Sequence, residues 1–254
     1  MEIEIDLNKS AQENANDYFN RSKKAKRKAE GAEAAVGELE ERRKNVESTE
    51  QKKRAIRKIE KKEWYEKFNW FRTGSGMLAV GGRNAQQNEL INSKYFEAND
   101  LFFHADVFGA SVIVLKDGVK SDKNAREEVA QFAACFSRAW ENGGSSATVY
   151  SLKREQISKS KEKGSLGTGS FLMSGEREWF RNVALELAAF VENEKIRIVP
   201  MQTCVALGVK SYILLKPGNR KKSDAAKLIC SSLGFDDLDY VMQHLPAGGF
   251  SVKV

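Results

Sequence analysis

The chain has 254 residues, 41% of them hydrophobic and 30% charged, with a formal net charge of +7. That length and apolar content support one packed domain plus an extended element, and exclude a chain disordered throughout. The surplus of Lys and Arg points to a polyanionic partner, nucleic acid ahead of an anionic membrane. No apolar run approaches the ~18 residues needed to span a bilayer.

Met1 to Leu7 alternates acidic and apolar residues, an extended lead-in. From Asn8 the composition turns to Ala, Glu, Lys and Arg. Asn8 or Ser10 can cap a helix that reaches about Glu63, with breaks near Gly31 and Gly37. Ala25, Ala29, Ala32, Val36, Leu39, Arg43 and Val46 alternate steps of four and three, the spacing of coiled-coil core positions. So narrow a stripe needs a partner helix, and the chain offers none of matching length. Lys23, Lys24, Lys26 and Arg27 form a run without acids, suited to lying along phosphates. Further basic clusters follow at Arg42 to Lys44, Lys52 to Arg54 and Arg57 to Lys58, interrupted by acids.

The domain over 64–254 opens with FNWFRT and MLAVGG, two short strands joined by Gly74-Ser75-Gly76 as a hairpin. Asn84 caps a helix toward Phe96, and LFFHAD and ASVIVLKD are two more strands parted by Phe108-Gly109. Lys123 to Trp140 is an amphipathic helix with Val129, Phe132, Ala133, Phe136 and Trp140 on one face, ended by Gly143-Gly144. ATVYSL is a strand. Lys153 to Gly169 is a basic, glycine-rich loop, with Lys153, Lys159, Lys161 and Lys163 as phosphate donors. Trp179 to Val191 reads as another amphipathic helix, and Ile196 to Val199 and Ser211 to Leu215 as strands. Lys216 to Ser223 is a turn carrying Lys216, Arg220, Lys221 and Lys222. Ser223 or Asp224 caps the helix that follows, and a basic turn feeding a helix N-terminus suits an anion. The fold class is therefore mixed α+β: a sheet with hairpin-connected strands, about four covering helices, and a long N-terminal coiled-coil helix over 1–63.

Little suggests catalysis. Cys135, Cys204 and Cys230 are scattered, which argues against disulfides or a zinc site and for reduced thiols in the cytoplasm. The only histidines are His104 and His244. His104-Ala105-Asp106 puts two polar side chains on one strand face, read as a hydrogen-bonded pair near the strand end ahead of a catalytic one. The glycine pairs fit neither a phosphate-binding nor a dinucleotide-binding loop, and Ser75 has no nucleophile-elbow context. Neither a cofactor nor a metal is expected. Of Trp64, Tyr65, Trp70 and Phe71, at most one is expected to remain exposed, where it can stack a base.

GGRNAQQNELINSKYF followed by DLFFHADVFGAS resembles the RNA-binding domain of the NFACT family. Trp64-Tyr65-Glu66-Lys67-Phe68, Gly81-Gly82-Arg83, Gln87-Asn88-Glu89 and His104-Ala105-Asp106 recur in order at family-like spacing. LNKSAQENANDYFNRSKKAKRKAEGA resembles the second arm of that family's antiparallel coiled coil, and the resemblance extends through Gly169-Ser170-Phe171 to ILLKPGNRKKSDAAKLI. The first arm, the N-terminal domain and the helix-hairpin-helix module are not in this sequence. The resemblance implies a non-catalytic RNA-binding protein that meets tRNA and ribosomal RNA on the large ribosomal subunit in rescue of stalled ribosomes. The partner helix is then a second copy, another protein or the missing first arm. Arg83, Lys94 and His104 join the cations above as RNA contacts, although Arg83 can equally pair with Glu89 or Asp106. Two other readings remain: a coiled-coil scaffold with a basic surface, and a nucleic-acid-processing enzyme using His104.

Overall fold

A computed structural model describes residues 4–8, 10–56, 63–159 and 167–254. It divides into two compact units, Met1–Lys62 and Glu63–Val254.

In the first unit, helix α1 spans Ala11–Ile56 without a break at Gly31 or Gly37. Among the described residues a Cβ added at either glycine would meet nothing within 4 Å, and two residues of low helix propensity are absorbed by a long run of Ala, Glu, Lys and Arg. Ser10, not Asn8, starts it. The Ser10 hydroxyl accepts from the Glu13 N–H at 3.3 Å, and the Glu13 carboxylate accepts from the Ser10 N–H at 2.8 Å, a reciprocal cap. The lead-in folds back on the first turns, with Tyr18 donating to the Glu4 carbonyl and Asp6 N–H donating to Asn14. Ala25, Ala29, Ala32, Val36 and Leu39 are all exposed, whereas the side chains of Arg43 and Val46 lie outside the described residues.

In the second unit, β1 (Asn69–Arg72) and β2 (Leu78–Gly81) form the expected hairpin. Its turn is closed by Gly76 at φ +86°, a conformation that suits a residue without Cβ. Helix α2 (Ala85–Leu90) begins on Asn84, whose side chain accepts from the Gln87 N–H, and continues as a π-helical turn over Ile91–Tyr95. Strands β3 (Leu101–Ala105) and β4 (Ile113–Leu115) follow. The expected helix over Lys123–Trp140 is two: α3 (Lys123–Cys135), capped by Asp122, and α4 (Arg138–Glu141), restarted by Ser137. Then come β5 (Ser146–Lys153), the short pair β6 (Ile157–Ser158) and β7 (Leu172–Met173), and β8 (Glu178–Ala184).

These strands build a six-stranded antiparallel sheet in the order β1-β2-β4-β3-β5-β8. Alternation along each strand gives it two buried faces. Phe71, Ala79, Leu101, Phe103, Ile113, Leu115 and Val149 face α3, whose Phe132 ring lies 4.7 Å from that of Phe71. Val80, Phe102, Val114, Tyr150 and Leu152 face Phe68, Ile91, Phe96 and Ile157 on the other side.

A second, four-stranded sheet shares the first of these cores. It consists of β9 (Leu187–Glu192), β10 (Lys195–Pro200), β11 (Ile213–Arg220) and β12 (Phe250–Lys253), in the order β10-β9-β11-β12. Helices α5 (Met201–Ala206), α6 (Lys222–Leu233) and α7 (Leu238–His244) accompany it.

Three expectations are corrected here. Trp179 to Val191 is not a helix but the strands β8 and β9. Lys216 to Arg220 is not a turn but the second half of β11, and its proline is tolerated because β11 pairs β9 only through Leu215. Helix α6 is capped by neither Ser223 nor Asp224: it starts at Lys222, on the extended backbone of Lys221, with no side-chain cap.

Candidate nucleic-acid interface

Register places three side chains in one row across neighbouring strands: His104 on β3 opposite Tyr150 on β5, and Tyr150 opposite Trp179 on β8. The His104 ring is parallel to Phe102 at 6.1 Å and 5.8 Å from Tyr150. Its Nε2 lies 3.2 Å from the Ala110 carbonyl, which can only accept, so the proton sits on Nε2; the Tyr150 hydroxyl lies 3.3 Å from Nδ1 and donates to the Met173 sulfur at 2.9 Å. Burial pushes the His104 pKa down and keeps the ring neutral. Neither nitrogen bonds to Asp106, so the expected His104–Asp106 pair does not form. Among the described residues no group of His, Cys, Asp and Glu is placed to hold a metal.

Arg83 follows the Gly81-Gly82 end of β2. It is exposed as a residue, yet its guanidinium is tucked against β1. It donates to the Phe68 carbonyl at 3.0 Å and to the Asn69 side chain at 3.2 Å, and to neither Glu89 nor Asp106. Lys222, at the start of α6, donates to the Leu245 carbonyl at 2.8 Å. His244 on α7 bonds through Nδ1 to the Tyr240 carbonyl. Burial lowers the pKa of Lys222 and of His244, and the Arg83 charge pushes both further down. Arg83, Lys222 and His244 therefore share one positive neighbourhood. Among the described residues neither Arg83 nor Lys222 meets a carboxylate. His244 carried no role in the sequence reading, and nothing local marks it.

The other candidate cations divide. Lys94 is exposed and lies 5.5 Å from the Tyr95 ring centroid, beside Lys67 at 5.2 Å. Trp64, the exposed member of the four aromatics considered above, stacks on Tyr95 at 4.3 Å and 10°. Lys153, Arg220 and Lys221 are exposed. Lys159 is held by Glu89, which also accepts from the Gly169 N–H. Lys216 is paired with Glu186 at 2.5 Å. Lys23, Lys24, Lys26 and Arg27 are exposed on α1, and Lys161 and Lys163 lie outside the described residues.

Residues 67–175 match the NFACT protein RNA binding domain. The chain belongs to the NFACT family. Among its relatives, the archaeal Rqc2 homolog aRqcH of Methanocaldococcus jannaschii is 39% identical over 211 residues, covering 80% of this chain and 31% of that protein. Ribosome quality control complex subunit NEMF of Homo sapiens is 33% identical over 173 residues, covering 65% of this chain and 16% of that protein. Ribosome quality control complex subunit 2 of Schizosaccharomyces pombe is 27% identical, covering 92% of this chain and 25% of that protein. The chain thus spans less than a third of each. The last two are named as subunits of a ribosome quality control complex.

Within the NFACT domain match fall Lys67, Arg83, Lys94, His104, Tyr150, Lys153 and Lys159. Trp179 and the Lys216–Lys222 cations lie beyond it. Among the described residues, no helix is long and apolar enough to cross a membrane.

Proposed function

We propose that this chain is a non-catalytic RNA-binding module of the cytoplasm that acts on the large ribosomal subunit and tRNA in the rescue of stalled ribosomes. The match of residues 67–175 to an RNA-binding domain carries the reading, and the quality-control names of the human and fission-yeast relatives support its setting. The chemistry agrees with it. Partly buried cations without a carboxylate partner leave charge for an incoming polyanion, which Arg83 and Lys222 supply. Lys94, Lys153, Arg220 and Lys221 on the second unit, and Lys23, Lys24, Lys26 and Arg27 on α1, are its exposed phosphate contacts. The exposed alanine, valine and leucine seam of α1 supports a partner helix.

Binding of the purified chain to tRNA, a structured ribosomal RNA fragment and duplex DNA, followed by anisotropy across salt concentrations, tests this. The expected result is a preference for RNA with a steep salt dependence, because cations displace counterions from phosphates. No RNA binding even at low salt overturns the reading.

A further inference from the structure

β8 is an edge strand of the six-stranded sheet. Arg177, just ahead of it, and Trp179 and Arg181 within it gather on one side, both guanidiniums lying against the Trp179 ring. Trp179 is 41% exposed, although the Tyr150 ring it meets edge-on at 5.4 Å is buried. The Arg177 guanidinium lies 4.5 Å from the Tyr150 centroid and 5.6 Å from Trp179, and that of Arg181 lies 5.8 Å from Trp179. The acids nearby do not neutralise this side. Glu178 projects to the opposite face, where Arg126 and Ser151 engage it at 3.2 and 3.1 Å. Asp106 acts on His104 and Tyr150 only through space. Among the described residues, neither Arg177 nor Arg181 is ion-paired.

A tryptophan that merely covered Tyr150 would explain the edge-on contact. It would not explain two guanidiniums without an ion-pair partner beside an indole that stays open to solvent. An aromatic face takes any unpaired base by stacking, and flanking cations take the phosphates that come with it.

We infer that Trp179, between Arg177 and Arg181, is a stacking platform for an unpaired RNA base. Tyr150 is a positioning residue that holds the indole upright, and its own hydroxyl is set between the Met173 sulfur and the His104 Nδ1. The platform rests on the RNA-binding reading above, and lies past the end of the matched domain.

The test compares a dye-labelled, unstructured RNA ten-mer with an abasic strand of the same length and charge, by anisotropy at fixed salt. The wild-type chain is expected to prefer the base-bearing strand by about 5- to 100-fold. Trp179→Ala removes that preference without changing the salt slope, and Trp179→Phe keeps most of it. Equal wild-type affinity for the two strands overturns the platform and needs no variant. So does a Trp179→Ala protein that still prefers bases, or one that loses affinity equally for both strands. In each of these cases RNA binding itself survives. Absence of binding to either strand overturns the RNA reading and the platform together.

Discussion

Lys116 donates to Asp100 at 2.6 Å, and that carboxylate is almost wholly buried. The same ammonium donates to the Tyr95 carbonyl at 2.8 Å, and Asp100 accepts from the N–H groups of Glu97 and Asp117 at 2.7 and 2.8 Å. One acid thus ties β4 to the end of the π-helical turn and to the loop before β3. Asp100→Ala leaves two N–H groups without their acceptor, and leaves the Lys116 ammonium with only the Tyr95 carbonyl and the exposed Glu97 carboxylate at 3.1 Å. It is expected to cost about 1–3 kcal/mol, read as a lower urea midpoint at unchanged m-value.

The Gly82 N–H donates to the Val112 carbonyl, and the Val112 N–H returns to the Asn88 side chain at 3.2 Å. A Cβ on Gly82 would run into that side chain and its backbone. Gly82→Ala is expected to lose about 1–3 kcal/mol by overpacking, seen as a lower thermal midpoint. Arg83 follows directly, so its RNA affinity should fall with it.

His104 and His244 both have pKa values pushed below the usual histidine value by burial. As pH falls through about 6.5 the unfolded chain takes up protons that the folded chain refuses. Stability is therefore complete above that pH, and declines until each folded pKa is passed. The urea midpoint is expected to be lower at pH 5.5 than at pH 7.5, and the difference to shrink in His104→Gln and His244→Gln. The Glu89 carboxyl is held below its ordinary range by the Lys159 bond, so its contribution is lost only at more acidic pH. An unchanged slope in both variants would show that the histidines do not carry it.

Removing a cation that contacts phosphate lowers the slope of log affinity against log salt by about 1. Arg83→Ala and Lys222→Ala are each expected to do so. Lys159→Ala should leave the slope near wild type, because its charge is already spent on Glu89, and lower the melting temperature instead.

The parts read correctly from sequence carry their own local signal. Asn84 is followed by the helix it caps, Gly76 supplies the positive φ of a hairpin, and α3 repeats its apolar residues at helical spacing. The helix misread over Trp179 to Val191 has a definite cause. Val149 pairs with Phe180 and Ala147 with Val183, so β8 carries one extra residue, with Asn182 at φ +54°. That bulge puts the inward residues three apart instead of two, which in one dimension imitates a helix. It also hid Trp179, whose exposure follows from the strand it stands on. The grouping of Arg83, Lys222 and His244 was illegible for another reason: it is made by packing between distant segments, and no local pattern records it.

Trp140 is fully buried, and its indole nitrogen donates to the carbonyl of Gly249, 109 residues further on, while its ring packs on Phe250. During translation α4 is therefore finished long before the segment that seals it leaves the ribosome. Until then the indole lacks its acceptor and β11 lacks β12, so the core shared by the two sheets closes only once residues 249–253 have been made. A chain stalled anywhere in that interval displays an unsealed core to the cell.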